Sequence, residues 1–96
     1  MGHVEGFAPE LQDLVGQQIV VDTKGGFLYI GTLGKVHANS LLMHDVDVHN
    51  TLTSNTSNDL YLIEAVKYGI RANRKSAYVL ARDIVSISPL ADIIVF

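Results

Sequence analysis

Phe27-Leu28-Tyr29-Ile30-Gly31-Thr32-Leu33-Gly34-Lys35-Val36 is a run of strand-forming composition interrupted by glycine at 31 and 34. Aromatic and β-branched side chains suit a pleated, half-buried surface. Glycine inside such a run marks a bulge or a strong bend, and strong bending is how a small sheet curls toward a barrel. On its N-terminal side, Ile19-Val20-Val21 leads into Asp22-Thr23-Lys24-Gly25-Gly26, a tight-turn composition, so a hairpin joins a first strand to the long one. On its C-terminal side, His37-Ala38-Asn39-Ser40 reads as a second tight turn, and Leu41 to Val48 as a third strand that alternates from Asp45 onward. The pattern predicts a three-stranded meander within residues 17–48.

The flanks add fewer regular elements. Pro9 suits an early helical position, and Leu11, Leu14 and Val15 recur at helical spacing before Gly16, so residues 9–15 are expected as a short helix. Residues 49–75 form an inserted segment. Its first part, Asn50 to Asn58, is rich in Asn, Ser and Thr, whose side chains compete with the backbone for hydrogen bonds, and predicts a mobile loop. Asp59 to Gly69 has a cap-type residue in front, a glycine behind, and Leu60, Ile63, Val66 and Ile70 at helical spacing. A short helix is favoured there, with a strand as the alternative on account of Tyr61, Ile63 and Tyr68. Arg71 to Lys75 reads as a basic loop. Ala77 to Leu80 and Ile84 to Ser88 make the fourth and fifth strands of residues 76–89, with a polar break at Arg82-Asp83 and a stop at Pro89. Residues 90–96 are an apolar tail.

Ninety-six residues suit one domain, 1–96, with a modest core. Hydrophobic residues make up 48% and charged ones 18%, which leaves more apolar surface than one thin core hides and points to oligomerisation. There is no cysteine, so no disulfide framework or thiolate metal site supplements that core. Glu5, Glu10 and Asp13 break up the first residues, and no stretch approaches the roughly 20 apolar residues of a membrane span. The expectation is a soluble, cytoplasmic protein with no membrane contact. A net charge of −3 argues against indiscriminate coating of nucleic acid. The charge is unevenly spread, however: Lys67, Arg71, Arg74, Lys75 and Arg82 are five of the seven basic residues, and Asp45, Asp47 and Asp59 lie upstream of them.

The order of elements, and some specific residues, resemble the Sm-like family. Gly16-x-x-Ile19-x-Val21 followed by Gly26-x-x-x-x-Gly31-x-Leu33 resembles the first Sm motif. Ala81-Arg82-Asp83-Ile84-Val85-Ser86-Ile87-Ser88-Pro89 is similar in spacing to the last-strand segment of the bacterial host factor Hfq, which runs Lys-His-x-Ile-x-x-Val-x-Pro. The resemblance covers about residues 9 to 90 and implies a mainly β chain: a short N-terminal helix, then a strongly bent, barrel-like antiparallel sheet of five strands, with the insertion before the fourth. It also implies a homo-oligomeric ring of five to seven subunits, in which the fourth strand of one pairs with the fifth strand of the next. That pairing would remove two apolar sheet edges at once.

In the family, single-stranded RNA is held between the loop joining strands two and three and the loop joining strands four and five. Carried onto this chain, the RNA-binding candidates are His37, for stacking on a base, Asn39, for reading a base edge, and Arg82, for a phosphate or a stacked base. Arg71, Arg74 and Lys75 are candidate phosphate contacts. The match departs from the family pattern in three places: His37 stands where an aspartate is usual, Asn39 follows it by two residues where archaeal and eukaryotic members have an asparagine four later, and Leu80-Ala81 stands where those members carry Arg-Gly. His37 and Asn39 also make sense as turn residues, Arg82 as an ion-pair partner of Asp83 or of a neighbouring subunit's carboxylate, and Tyr29, Tyr61, Tyr68 and Tyr78 as core or interface packing residues.

His44-Asp45-Val46-Asp47-Val48-His49 concentrates ligand-type side chains, and a regular strand would put Asp45, Asp47 and His49 on one face. Their spacing of about 7 Å is wide for one metal ion, and a solvent-facing side opposite Val46 and Val48 explains the same residues. No nucleophile elbow and no phosphate-binding glycine loop is present. The expectation is therefore a non-enzyme without a cofactor or bound metal. A ring scaffold that keeps the fold without binding RNA, docking a protein partner through residues 50–75, is the alternative.

Overall fold

The computed structural model describes residues 6–95. Five strands, β1 (Gln18–Thr23), β2 (Phe27–Val36), β3 (Ser40–Asn50), β4 (Arg74–Leu80) and β5 (Ile84–Pro89), form one antiparallel sheet in the order β4-β3-β2-β1-β5. The sheet is strongly bent but not closed, because its edges, β4 and β5, are not paired with each other. Helix α1 (Asn58–Tyr68) lies in the connection from β3 to β4.

Both glycines of the long strand sit at irregularities of the β2–β3 pair. Ile30 faces Asp47 and Thr32 faces His44, so β3 carries one extra residue opposite Gly31. The extra turn is made at Asp45, whose φ of 51° lies in the left-handed region that aspartate tolerates better than most side chains do. Gly31 is required by close approach: a Cβ there would lie 3.0 Å from the His44 carbonyl oxygen and 3.1 Å from the Val46 Cα. The second shift falls between Leu33 and Lys35, where Gly34 is the extra residue in β2 and the His44 ring lies against it.

Each bulge reverses the alternation of the strand that bears it. Leu41, Met43 and Val46 therefore share one buried cluster although their spacing is not uniformly two, and so do Leu33 and Val36. Ile19, Val21 and Val79 complete this cluster on the concave side of the sheet. Val20, Leu28 and Ile30 point the other way, into a second cluster with Ala65 of α1 and Leu90.

The N-terminal segment expected as a helix over residues 9–15 is a 3-10 helix over Pro9–Leu14. Six residues are too few for a stable α-helix. At three residues per turn Leu11 and Leu14 fall on one side, and both pack on the concave cluster. The choice between helix and strand for residues 59–69 resolves to a helix, capped two residues earlier than expected. The Ser57 hydroxyl accepts a hydrogen bond from the Leu60 N–H, and at the other end Gly69, at φ 90°, donates its N–H to the Ala65 carbonyl. The hydroxyl and amide side chains of the preceding loop take backbone partners as their chemistry suggests: Asn50 Oδ1 accepts from the Leu52 N–H, and Ser54 Oγ accepts from the Thr56 N–H. The basic loop ends sooner than expected, since Arg74 and Lys75 already belong to β4, with Arg74 opposite Val46.

Helix α1 is joined to the sheet by a polar contact as well as an apolar one. Asp47 is only 7% exposed, because the bulge at Asp45 turns it under the helix, where Tyr61 donates its hydroxyl proton to Oδ2. The Asn73 amide lies at 3.4 Å from Oδ1, and the His49 ring stacks on Tyr61 at 3.7 Å between centroids. The reading of Asp47 as a solvent-facing residue is thus corrected. So is the shared face of Asp45, Asp47 and His49, since Asp45 occupies the bulge and alternation restarts at Val46. Among the described residues no group of three His, Cys, Asp or Glu side chains is arranged to hold a metal ion. Of the tyrosines read as core or interface packing, Tyr68 and Tyr78 lie outside the core of the single chain, exposed at 81% and 63%.

Gly31→Ala should destabilise the protein by about 1–3 kcal/mol, because the methyl group meets backbone that cannot rotate away. Gly25→Ala, whose Cβ would meet only the Phe27 ring at 3.8 Å, should change stability by less than about 0.5 kcal/mol. Thermal melts at one fixed protein concentration compare the two; equal losses would mean that the bulge does not depend on Gly31.

Tyr61→Phe should cost about 1–3 kcal/mol by leaving the Asp47 carboxylate short of a donor. Burial, then the Asp47 hydrogen bond and charge, push the Tyr61 hydroxyl well above the ordinary phenol value. The folded state therefore holds this proton more tightly than the unfolded state does. Its contribution is complete below about pH 10 and drains away as pH rises beyond that. In urea titrations the stability gap between wild type and Tyr61→Phe should narrow above pH 10, and a gap independent of pH would refute the Asp47 contact.

Candidate nucleic-acid interface

Pairing of Ser40 with Leu80 places the turn before β3 and the turn after β4 at the same end of the sheet. The two turns are tied together by the Ala81 N–H, which donates to the Asn39 carbonyl at 2.8 Å. Residues Ala81–Asp83 form a single 3-10 turn that leads into β5 and holds Arg82 outward. Asn39 and Arg82, both exposed, line one open cleft with Leu80 and Ala81. An amide with donors and an acceptor then stands beside a guanidinium with donors only, a combination suited to a base edge next to a phosphate.

His37 lies close by but does not line that cleft. Its N–H donates to the Ser40 carbonyl, and its carbonyl accepts from the Phe7 N–H, so the backbone of the turn is fixed on both sides. The ring packs against Tyr78 at 6.0 Å between centroids, tilted by 43°. His37 Nε2 is buried without a hydrogen-bond partner. The structure therefore brings two of the three candidate RNA-contact residues together and sets the third against an aromatic neighbour.

Tyr78, read from the sequence as a core or interface packing residue, stands exposed beside the His37 ring. It is displayed because Val79 takes the inward position on β4, which leaves Tyr78 and Leu80 on the outer side. Alternation along β4, read with Val79 as the buried position, carries the signal that finds it.

Arg71, Arg74 and Lys75 are not part of the cleft. All three are exposed at the other end of β4, where Arg74 pairs with Val46. Six residues of strand, or about 20 Å, separate them from Leu80. The basic stretch of the sequence thus divides into Arg82 at one end of the sheet and a separate group at the other. Among the described residues no helix is long and apolar enough to cross a membrane.

No protein-family model and no curated protein matches the chain. Solved structures do match. A heptameric archaeal Sm protein aligns over 83% of this chain and 94% of its own, with 20% identity and a TM-score of 0.53. The Sm protein of Pyrococcus abyssii, solved in complex with a uridine heptamer, aligns over 83% and 92%, with 16% identity and a TM-score of 0.54. The P. aerophilum SmAP1 heptamer aligns over 83% and 86%, with 20% identity and a TM-score of 0.52. With its meander, its glycine-dependent bends and its fifth strand returning beside the first, the chain has the Sm-like fold.

Proposed function

We propose that this protein forms a homo-oligomeric ring of five to seven copies that binds single-stranded RNA at the Asn39–Arg82 cleft and acts in cytoplasmic RNA metabolism without catalysis. The observation that carries the reading is the meeting of Asn39 and Arg82 on one cleft at the end of an unpaired edge strand. Two edges are open in the chain, β4 with exposed Tyr78 and Leu80, and β5 with Val85 exposed at 65%. Pairing one edge to the other of the next copy satisfies both, and repetition around a closed ring removes every free edge. It also repeats the cleft, so that contacts of modest strength add along one RNA strand. The Sm-fold neighbours are consistent with this, two of them being heptamers and another having been solved with a uridine heptamer.

A scaffold ring that docks a protein through residues 50–75 is the second reading. It is favoured by the net charge of −3, by Leu80-Ala81 in place of Arg-Gly, and by Leu52 and Leu60, exposed at 79% and 48% on the inserted segment.

Light scattering should report an assembly of five to seven chains, and Val85→Pro should reduce it to folded monomers, since the substitution lies on the outer edge where β5 steps out of register with β1. A wild-type monomer would sink the ring. In anisotropy titrations, short U-rich or A-rich single strands should bind far better than duplex, whose bases are hidden. Arg82→Ala should flatten the salt dependence, and Asn39→Ala should weaken binding with the slope unchanged. Single-strand affinity no better than about 100 μM at low salt, the weak end of nonspecific binding, would favour the scaffold.

A further inference from the structure

Residues 67–75, Lys-Tyr-Gly-Ile-Arg-Ala-Asn-Arg-Lys, carry four cations and no acid in a chain whose net charge is −3. Lys67, Arg71, Arg74 and Lys75 are all exposed, and between Lys67 and Arg71 in the chain stands Tyr68, the most exposed large hydrophobic side chain among the described residues at 81%. A tyrosine ring left this far out of the core at a helix end gains nothing from burial in this chain, and it lines an open pocket with Arg71, Glu64 and the buried Asp47.

The segment is nevertheless fixed. Ile70 packs into the outer apolar cluster with Val20, Leu28 and Ile30. Asn73 is bound to β3 four times: its N–H donates to the Val46 carbonyl at 2.9 Å, its Oδ1 accepts from the Val48 N–H at 3.0 Å, and its Nδ2 donates to the Val48 carbonyl at 3.1 Å and to Asp47 Oδ1 at 3.4 Å. Gly69 ends α1 at a positive φ, with open space where a Cβ would be. The charges are thus displayed from an anchored frame, so a ligand meets a surface already in place.

We infer that this segment is a second binding surface for single-stranded RNA, with Tyr68 as a base-stacking platform and Lys67, Arg71 and Lys75 as phosphate contacts. An exposed aromatic ring interleaved with cations is the chemistry that binds single strands, because the ring takes the face of any base while the charges follow the backbone. An acidic peptide would use the charges and leave the ring idle. The site lies about 20 Å along β4 from the Asn39–Arg82 cleft and does not depend on it.

Four proteins test this by anisotropy with one fluorescent single-stranded RNA at several salt concentrations: wild type, Asn39→Ala with Arg82→Ala, Tyr68→Ala, and Arg71→Gln with Lys75→Gln. Each second-surface set is also made in the cleft-variant background. All the second-surface side chains are exposed, so melting temperatures should match. RNA binding should persist in the cleft variant and fall there about tenfold with Tyr68→Ala. Arg71→Gln with Lys75→Gln should lower the salt slope by about 1.4, at about 0.7 for each phosphate no longer neutralised. Loss of all binding in the cleft variant alone would overturn this inference and leave the cleft standing. An unchanged affinity in that variant, abolished by Tyr68→Ala, would do the reverse. If Tyr68→Ala has no effect and a polyglutamate peptide binds as well as RNA, the surface binds anions and not bases, and the inference falls.

Discussion

The close approach of β3 to Gly31 is the contact on which the rest of the molecule depends. With the backbone at His44 and Val46 about 3 Å from where a side chain would begin, only glycine lets the two paired strands approach this closely at the bulge. The extra residue at Asp45 absorbs the resulting mismatch in register. With the reversed alternation, the sheet buries side chains on both faces.

A chain of this size has little interior, so the outer apolar face must be covered by something other than a second sheet. The inserted helix does this with one buried alanine and flanking contacts from Tyr61 and Leu62, a thin apolar layer. The Asp47–Tyr61 bond supplements it with a polar contact that is costly to break, because separation leaves a buried carboxylate without its donor. The same bulge that shapes the concave core therefore also determines how the insertion docks. Asp47 can meet Tyr61 only because Asp45 shifted the alternation.

Local sequence carried much of the strand order. Glycines inside β2, the turn compositions at 24–26 and 37–39, and the stop at Pro89 each act through backbone geometry that depends on the residue and its immediate neighbours. For that reason the meander, the inserted helix and the last strand were legible without knowledge of contacts. The spacing of Leu11 and Leu14 was legible as helical, although it does not separate a 3-10 from an α turn when only two apolar residues are available. The strand face proposed for Asp45, Asp47 and His49 failed because a periodicity argument assumes unbroken pleating, and a bulge produced by a glycine in the facing strand is not visible in the strand that bulges.

For the candidate site, the sequence by itself determined the residue types available: an asparagine and a histidine in one turn, an arginine in another, and a basic run with a tyrosine at its head. Which of them act together was decided by tertiary structure, through the pairing of Ser40 with Leu80 that joins Asn39 to Arg82 and sends Arg71, Arg74 and Lys75 to the far end of β4. Exposure was decided there too. Tyr61 and Tyr68 lie on one helix seven residues apart, yet one is held by a buried carboxylate and the other stands in solvent. The reason is physical: composition and turn chemistry are properties of the chain, whereas proximity and burial depend on register between strands distant in sequence, which one extra residue in a strand resets.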